Sequence, residues 1–253
     1  MGRLRGLALF ALVYTVLLEV MLAAAILFWP EFSENLATLR SMTSAIPIAG
    51  EFLDRVGDTG VVAYILGQHF FKGCNALGTA AAVLFAAPAV AGEAQRGTLE
   101  LWLARPVSRA RLLSERYLAG ALALSVPIFL SSLTIPALAA RVDELEPYGP
   151  YLLCSVHQAL FLLAIYSVTF LCSCLGSNPT RISLAILFVS TFEFALYMIK
   201  VVTHWSLFRL ADLDVLLGIA DEGRLDWTLC GPLLAVSAAC FAGALLAFRR
   251  RTP

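Results

Sequence analysis

The sequence is poor in charge: 14% of its 253 residues are Asp, Glu, Lys or Arg, whereas 60% are hydrophobic. Soluble domains carry about 25% charged residues, so this composition excludes an ordinary globular fold in water. The mean hydropathy of +0.82 agrees. We therefore expect an integral membrane protein.

Motifs of catalysis and of nucleotide binding are also missing. The chain has no GxxxxGK[ST] phosphate loop, so it does not bind ATP by that route. It has no HExxH, GxSxG or CxxC motif either, and we assign it no catalytic residue. Its formal net charge of +0 gives no reason to expect a nucleic-acid partner. The sequence argues against an enzyme.

The cysteines do not form a pattern that indicates disulfides or a metal site. All of them lie within or at the ends of apolar stretches, where cysteine acts mainly as a small hydrophobic residue. They are Cys74, Cys154, Cys172, Cys174, Cys230 and Cys240. Cys154 and His157 are far along the helix from Cys172 and Cys174, so we predict no metal site.

Long apolar runs fill the rest of the chain. A helix needs about 20 apolar residues to cross the hydrocarbon core of a bilayer. Six stretches reach that length: about 6 to 29, 64 to 91, 117 to 140, 151 to 175, 182 to 203 and 229 to 248. We predict an all-α polytopic membrane protein with six transmembrane helices and a single domain, 1–253.

The charges are distributed unevenly between the loops, which indicates an orientation. The termini and the loops after the second and fourth stretches hold eleven cations and three acids, whereas the opposite loops hold five arginines and thirteen acids. By the positive-inside rule both termini are cytoplasmic, in an inner membrane. Outside, residues 30 to 60 and 204 to 228 mix apolar and acidic residues, which is typical of short interfacial helices.

Residues 93–116 form the one strongly amphipathic stretch, with five arginines. Leu99, Trp102 and Leu103 share a helical face, Arg105 and Pro106 break the helix, and Ser108 can cap the next one. We predict a short helix and an elbow against the membrane. Composition leaves two interpretations open: the apolar face docks on a soluble partner, or the arginines contact anionic lipid head groups.

The order of residues in this segment resembles the signature of ABC-2 type exporter permeases, which reads E, three residues, GTL, a Leu-rich turn, PVSR and a Leu pair. The matching residues are Glu93, Gly97, Thr98, Leu99, Leu103, Pro106, Val107, Ser108, Arg109, Leu112 and Leu113. The resemblance spans about 24 residues, and the remaining chain agrees only in topology. Trp102 and Arg116 depart from the leucine and lysine common in the family, and the region before the first span is short.

The resemblance implies a transporter whose ATPase and transmembrane parts are separate subunits. Residues 93–104 would form a coupling helix seated on a separate ATPase subunit, which binds ATP and Mg. Two ATPase chains and a permease homodimer or heterodimer would make up an exporter that works by alternating access. This chain would then have neither a cofactor nor a catalytic site of its own. The residues assigned to coupling are Glu93, Arg96, Gly97, Thr98, Leu99, Trp102, Leu103, Pro106, Ser108 and Arg109.

Ionisable residues inside apolar stretches are functional candidates, because charge is costly in a membrane. Glu19 and Glu193 are predicted near mid-depth. The family resemblance places the second and fifth spans along the substrate path, so Glu193 is the first candidate there. The alternative is a protonated carboxyl that makes a structural hydrogen bond. His69, Lys72 and Asn75, with Gln68, form a polar patch that serves either substrate exit or interfacial anchoring.

Small residues recur every four positions in the last stretch. They are Gly231, Ala235, Ala239, Gly243 and Ala247. Such a ridge allows another helix to approach closely. We favour packing within the chain over a subunit interface.

Two other functions fit the same features. The chain is alternatively a permease of a maturation or assembly system, with an extracytoplasmic protein partner on the acidic loops. From a different class, it is a non-transporting membrane scaffold whose basic segment binds membrane lipids. The sequence does not identify a substrate.

Overall fold

The computed structural model describes residues 2–43, 47–104, 106–199 and 201–251, and all regular structure in these ranges is helical. The α-helices are α1 (Gly2–Leu27), α2 (Trp29–Glu34), α3 (Leu36–Met42), α4 (Pro47–Thr59), α5 (Val61–Ile65), α6 (Asn75–Ala86), α7 (Ala91–Gln95), α8 (Leu99–Leu103), α9 (Arg109–Ala139), α10 (Tyr148–Leu175), α11 (Pro179–Tyr197), α12 (Leu213–Glu222) and α13 (Trp227–Arg250). A π-helix spans Leu66–Cys74, and 3₁₀ turns span Ala140–Val142, Thr203–Trp205 and Leu207–Ala211.

Five helical segments are long and apolar enough to cross a membrane. They are Arg5–Leu27, Arg109–Val142, Tyr148–Leu175, Pro179–Tyr197 and Trp227–Arg250. These match the first, third, fourth, fifth and sixth predicted spans, so the prediction of a polytopic helical membrane protein is confirmed. Two boundaries differ from the prediction: α9 begins eight residues before 117, and α11 ends at Tyr197 instead of 203.

The second predicted span, 64 to 91, is not one regular helix. It is built from α5, the π-helix and α6, which follow one another without a break from Val61 to Ala86. The wide π turns lie where Phe52 of α4 packs on Gly67, which has no side chain to obstruct the ring. Long π segments are rare and often mark functional regions. That this irregular helix crosses the membrane remains a prediction.

Helix α10 is the centre of the bundle, packed against α13, α9 and α6, and α1 packs on α9 and on the π-helix. An aromatic cluster joins three of these helices: the ring of Tyr117 lies 5.3 Å from Tyr166, 5.2 Å from Phe170 and 4.4 Å from Phe241. Gly120 allows the Tyr166 ring to pack directly on the α9 backbone. In contrast, α11 lies at the periphery with no buried residue.

The two ends of the bundle differ in charge. The basic end comprises residues 87–111, 173–181 and 248–251, and the acidic end comprises α2 to α4, residues 140–147 and residues 201–226. The segments of the acidic end contact one another, since Trp29 Nε1 donates to Glu144 Oε1 at 2.8 Å and Arg55 pairs with Asp214 at 2.9 Å. Three short helices, not one or two, follow α1. Which end is cytoplasmic remains a prediction.

The small-residue ridge of α13 does not pack as predicted. The face of α13 that is buried carries other residues, namely Cys230, Leu233, Ser237, Ala244 and Phe248. Ala235 and Ala239 are exposed, and no atom lies close to the open side of Gly231. Of the five positions, Gly243 faces Leu171 of α10, and Ala247 is partly buried against the core. The packing face of α13 is therefore rotated away from the ridge.

Candidate functional site

Gly97 shapes the turn between α7 and α8. Its φ of +66° lies in the left-handed region, which glycine adopts at little cost. The Gly97 N–H donates to the Ala94 carbonyl at 3.1 Å, and the Thr98 N–H donates to the Glu93 carbonyl at 3.0 Å. These two bonds form a Schellman motif. The Gly-Thr pair of the signature is thus a helix end, and it directs the Thr98 hydroxyl back towards Glu93.

Glu93 is the hub of a charged cluster at the basic end. Its Oε1 accepts from Arg116 Nη2 at 3.1 Å and lies 3.2 Å from Arg96 Nη2. Its Oε2 accepts a short hydrogen bond from the Thr98 hydroxyl. Arg116 also donates to the Ala89 carbonyl at 2.6 Å. Because the side chains of Glu93 and Arg116 are only 12% and 20% exposed, this cluster fastens α7 to α9.

Ser173, in α10, binds the turn between α6 and α7, residues 87–90. Its buried hydroxyl oxygen accepts from the N–H groups of Val90 and Ala91, both at 3.0 Å, and donates to the Ala87 carbonyl at 2.7 Å. One side chain therefore satisfies three backbone groups of the turn between α6 and α7. This contact was not predicted, since a serine in an apolar run does not indicate its backbone partners.

Two arginines cap helix ends beside this turn. Arg109 Nη1, at the start of α9, donates to the carbonyls of Phe248, Arg249 and Arg251 at 3.3, 3.0 and 2.8 Å. The last carbonyls of an α-helix lack the N–H groups of a following turn, so a cation there provides donors and interacts favourably with the helix dipole. Arg109, which we predicted to couple to a partner, therefore also joins α9 to α13.

Arg251 repeats this arrangement on α10. Its Nη1 donates to the Cys174 carbonyl at 2.6 Å and its Nη2 to the Gly176 carbonyl at 2.7 Å. Together Glu93, Arg109, Arg116, Ser173 and Arg251 form a basic-end ring that connects α7, α9, α10 and α13. Helix α7 is therefore connected to three long helices through this ring.

Helix α8 presents a different face from the one predicted. Leu99 is 5% exposed and belongs to the core, and Leu103 packs against that core. Leu101 is 74% exposed instead. Leu99 and Leu103 therefore face the same side of α8, but that side packs on the core of the chain and is not available to a partner. The side chain of Trp102 and all of Arg105 lie outside the described residues.

The elbow after α8 is confirmed in part. Pro106 follows the end of α8 and is exposed, as is Arg96. Ser108 caps α9, because its hydroxyl oxygen accepts from the Arg111 N–H at 3.2 Å. The predicted capping role of Ser108 is confirmed.

The predicted polar patch of the second span divides into two parts. Lys72 Nζ donates to Gln68 Oε1 at 3.1 Å on the outside of the bundle. His69 and Asn75 are each 1% exposed and point inward. His69 Nε2 lies 3.2 Å from the hydroxyl of Ser131 in α9. The four residues therefore do not form one surface.

Buried side chains hold a segment of the acidic end that we name the strap, residues 206–217. Asn75 Nδ2 donates to the Ala211 carbonyl at 3.2 Å, and His157 Nε2 lies 2.6 Å from the Leu210 carbonyl. Gln158 Nε2 donates to Asn75 Oδ1 at 2.7 Å and so fixes the orientation of the Asn75 amide. The strap thus enters the bundle and is hydrogen-bonded to its interior.

Glu193 also anchors the strap. Its Oε2 accepts from the Leu207 N–H at 3.0 Å, and its backbone carbonyl accepts from the Ser206 hydroxyl at 2.7 Å. Because α11 ends at Tyr197, Glu193 lies one turn from the end of the helix. The prediction that Glu193 lies near mid-depth is therefore wrong, and its contacts are those of a structural residue.

Glu19 lies in the middle of α1, as predicted, and is partly exposed. Within the described ranges no hydrogen bond or ion pair involves its carboxylate. Several other polar atoms inside the bundle also have no protein partner in those ranges: Tyr14 Oη, His69 Nδ1, Thr79 Oγ1 and Gln158 Oε1. We had not singled out Tyr14, Thr79 or Gln158, because each is an isolated polar residue in an apolar run. The interior between α1, α6 and α10 is thus partly polar.

Asp212 is a buried acid of the strap whose pKa is raised. Its side chain accepts from the Val215 N–H at 3.0 Å and caps α12, and the residue is 9% exposed. Burial raises the pKa of Asp212 from 3.8 to about 6, and Asp214 adds to this rise. The Val215 N–H and Arg209 act in the opposite direction. Near neutral pH this carboxylate is charged at a cost to the folded state.

This cost predicts a pH dependence. Since the pKa of Asp212 is higher in the folded state, stability falls as pH rises from about 4 to 6 and stays lowered above that range. Asparagine caps helices as well as aspartate does. We expect Asp212→Asn to raise stability at pH 7 by roughly 1 to 3 kcal/mol, and the gain to vanish near pH 4.

Thermal unfolding of the detergent-purified chain across this pH range measures the effect. Asp221→Asn is the control, because Asp221 is exposed at the end of the same helix, α12, and is not among the groups that shift the pKa of Asp212. If Asp212→Asn has the wild-type pH profile, the buried-carboxylate explanation fails.

The fold defines a polytopic α-helical membrane protein with a basic end joined by ion pairs and hydrogen bonds and an opposite end to which the strap is hydrogen-bonded. In a comparison with protein families, residues 4–211 match the model of the ABC-2 family transporter proteins. The match covers most of the chain, from α1 through the basic-end segment to Ala211 in the strap. The chain therefore belongs to the ABC-2 transporter family, whose members are membrane permeases of ABC systems. No curated protein matched the chain in a separate search.

Proposed function

We propose that the chain is the transmembrane subunit of an ATP-driven ABC-2 type exporter. A separate ATPase subunit, present in two copies, binds ATP and Mg and contacts the basic end, which is cytoplasmic. Two permease chains, identical or different, form the transmembrane core in the inner membrane. Family membership supports the permease assignment, and the distribution of charge between the loops supports the orientation.

The basic-end ring is the observation that carries the coupling proposal. The exposed side of α8, with Glu100 and Leu101, contacts the ATPase, and Arg96 lies at the rim of that contact. Displacement of α8 moves α7, since the Schellman turn and the Glu93–Thr98 hydrogen bond join them. Arg116 and Ser173 pass the movement on to α9 and α10.

At the other end, the strap closes the route to the outside. It blocks the polar interior that contains His69 and Asn75, which we propose as substrate-path residues, with Lys72 at the outer rim. Release of the strap requires that the hydrogen bonds from Asn75 and His157 to its carbonyls break. Glu193 acts as an anchor of this closure, and Glu19 is a further candidate for the path.

Co-purification tests the contact with the ATPase. An affinity-tagged chain is expected to retain an ATPase subunit, and Leu101→Glu is expected to reduce that retention tenfold or more, because a charge at the centre of an apolar contact is costly. Leu145→Glu is the matched control, since Leu145 is 91% exposed at the acidic end. Retention that is absent in the wild type or unchanged in Leu101→Glu contradicts the proposal.

The same preparation distinguishes the other two functions. Stimulation of ATP hydrolysis when the chain is reconstituted with the retained ATPase excludes a non-transporting scaffold. Crosslinking of the acidic end to an extracytoplasmic protein in cells, without transport of a small substrate, favours a maturation or assembly permease. The acidic residues of that end are the reason to test for such a partner.

A further inference from the structure

A cavity of about 470 Å³ lies at the basic end, between the last turns of α10 and α13. Both helices are long enough to cross the membrane, and both end here, at Leu175 and Arg250. The cavity therefore lies at the level where two spans leave the hydrocarbon region. Its lining consists of Cys174, Leu175, Leu246, Ala247, Arg250 and Arg251.

The apolar part of the lining faces outward. Leu175 is 69% exposed and Leu246 is 57% exposed, although both belong to helices that cross the membrane. On spans of this kind, exposed leucines contact lipid. A ligand that enters the cavity from this side has apolar groups that extend along α10 and α13.

The polar part of the lining is cationic. Arg251 is committed to the carbonyls at the end of α10. Arg250 is exposed, and no acidic partner is found for it, for Arg249 or for Arg181 within the described part of the chain. Two of the three acids of the basic end are engaged, since Glu93 binds Arg96 and Arg116, and Glu115 binds Arg111. The third, Glu100 in α8, does not line the cavity. The cavity thus has an excess of positive charge.

We propose that this cavity binds the phosphate head group of an anionic phospholipid. Arg250 binds the phosphate, and Arg251 adds positive charge from its capping position. The acyl chains lie along Leu175 and Leu246. Basic pockets between spans at a membrane surface are suited to such head groups, because the charge and the apolar wall act on the same molecule. The volume is sufficient for a head group and leaves the acyl chains in the bilayer.

A bound lipid at this position has a structural consequence. Arg109 contacts carbonyls at the end of α13, and Arg251 contacts carbonyls at the end of α10. The lipid phosphate lies beside both arginines. The lipid is therefore expected to stabilise the basic-end ring against thermal unfolding. It is a resident ligand of the permease, not its transported substrate.

Native mass spectrometry of the full chain extracted from vesicles tests the site. The vesicles contain phosphatidylcholine with ~20% phosphatidylglycerol as the anionic lipid. The wild type is expected to retain phosphatidylglycerol in preference to phosphatidylcholine. Arg250→Gln is expected to lower this retention fivefold or more, and Leu246→Trp to lower it by filling the cavity while all arginines remain.

Arg249→Gln is the control, because Arg249 is the adjacent arginine and does not line the cavity. It is expected to retain phosphatidylglycerol as the wild type does, and thermal unfolding verifies that each variant is folded. If Arg249→Gln and Arg250→Gln lose equal amounts of phosphatidylglycerol, the proposal is overturned, because the arginines then attract anionic lipid without a defined site. Displacement of the lipid by inorganic phosphate also overturns it, because the site then binds a free anion.

Discussion

Glu93→Gln is expected to abolish most of the coupling between ATP hydrolysis and transport and to destabilise the chain by about 1 to 3 kcal/mol. The neutral amide leaves the partly buried Arg116 without its counter-charge and weakens the hydrogen bond from Thr98. We expect ATPase stimulation to fall tenfold or more, because α7 no longer moves with α9. Thermal unfolding and ATPase assays of the reconstituted complex measure both effects.

Glu115→Gln is the matched control for this experiment. Glu115 pairs with Arg111 at 2.9 Å, but both side chains are more than half exposed, at 61% and 71%. Exposed pairs of this kind contribute about 0.5 kcal/mol or less. If the two glutamine variants have equal effects, or if Glu93→Gln keeps full stimulation, the basic-end ring does not transmit the movement.

Asn75→Leu is expected to release the strap. The leucine removes the hydrogen bond to the Ala211 carbonyl and leaves the Gln158 amide without its acceptor. Loss of partners for buried polar groups costs about 2 to 4 kcal/mol here, since two groups are affected. Hydrogen–deuterium exchange of residues 207–217 is expected to increase strongly, and thermal stability to fall.

A double variant separates the hydrogen bonds from the packing. In Asn75→Leu/Gln158→Leu the unpaired amide is also removed, so part of the lost stability is expected to return, whereas the strap stays released. Gln68→Leu is the surface control, because the Gln68 side chain accepts a hydrogen bond from the exposed Lys72 on the outside of the bundle. Unchanged exchange of the strap in Asn75→Leu contradicts the proposed closure.

Much of the architecture follows from the sequence. Apolar runs predict five of the long helices, because burial in a membrane requires length and apolar composition. Ser108 predicts the start of α9, since a capping residue is a local signal. The end of α11 at Tyr197 has no such signal, because the apolar pattern continues beyond it, and Glu193 was placed too deep as a result.

The partners of the site residues are less predictable. Leu99, Leu101 and Leu103 are all apolar, so the sequence of α8 does not indicate which of them packs on the core and which is exposed. Likewise the acceptors of Asn75 and Arg251 are backbone carbonyls of distant segments, which no side-chain pattern reveals. These contacts depend on the three-dimensional arrangement of the helices.

The central claim is that ATP hydrolysis at the basic end opens the strap at the acidic end. Hydrogen–deuterium exchange of residues 207–217 tests it most directly, in the complex of the chain with its retained ATPase, with and without ATP and vanadate. We predict that trapping with ATP and vanadate increases exchange of the strap in the wild type and has no effect in Glu93→Gln. Exchange that is identical in all states of the wild type, or that increases equally in Glu93→Gln, would contradict the account.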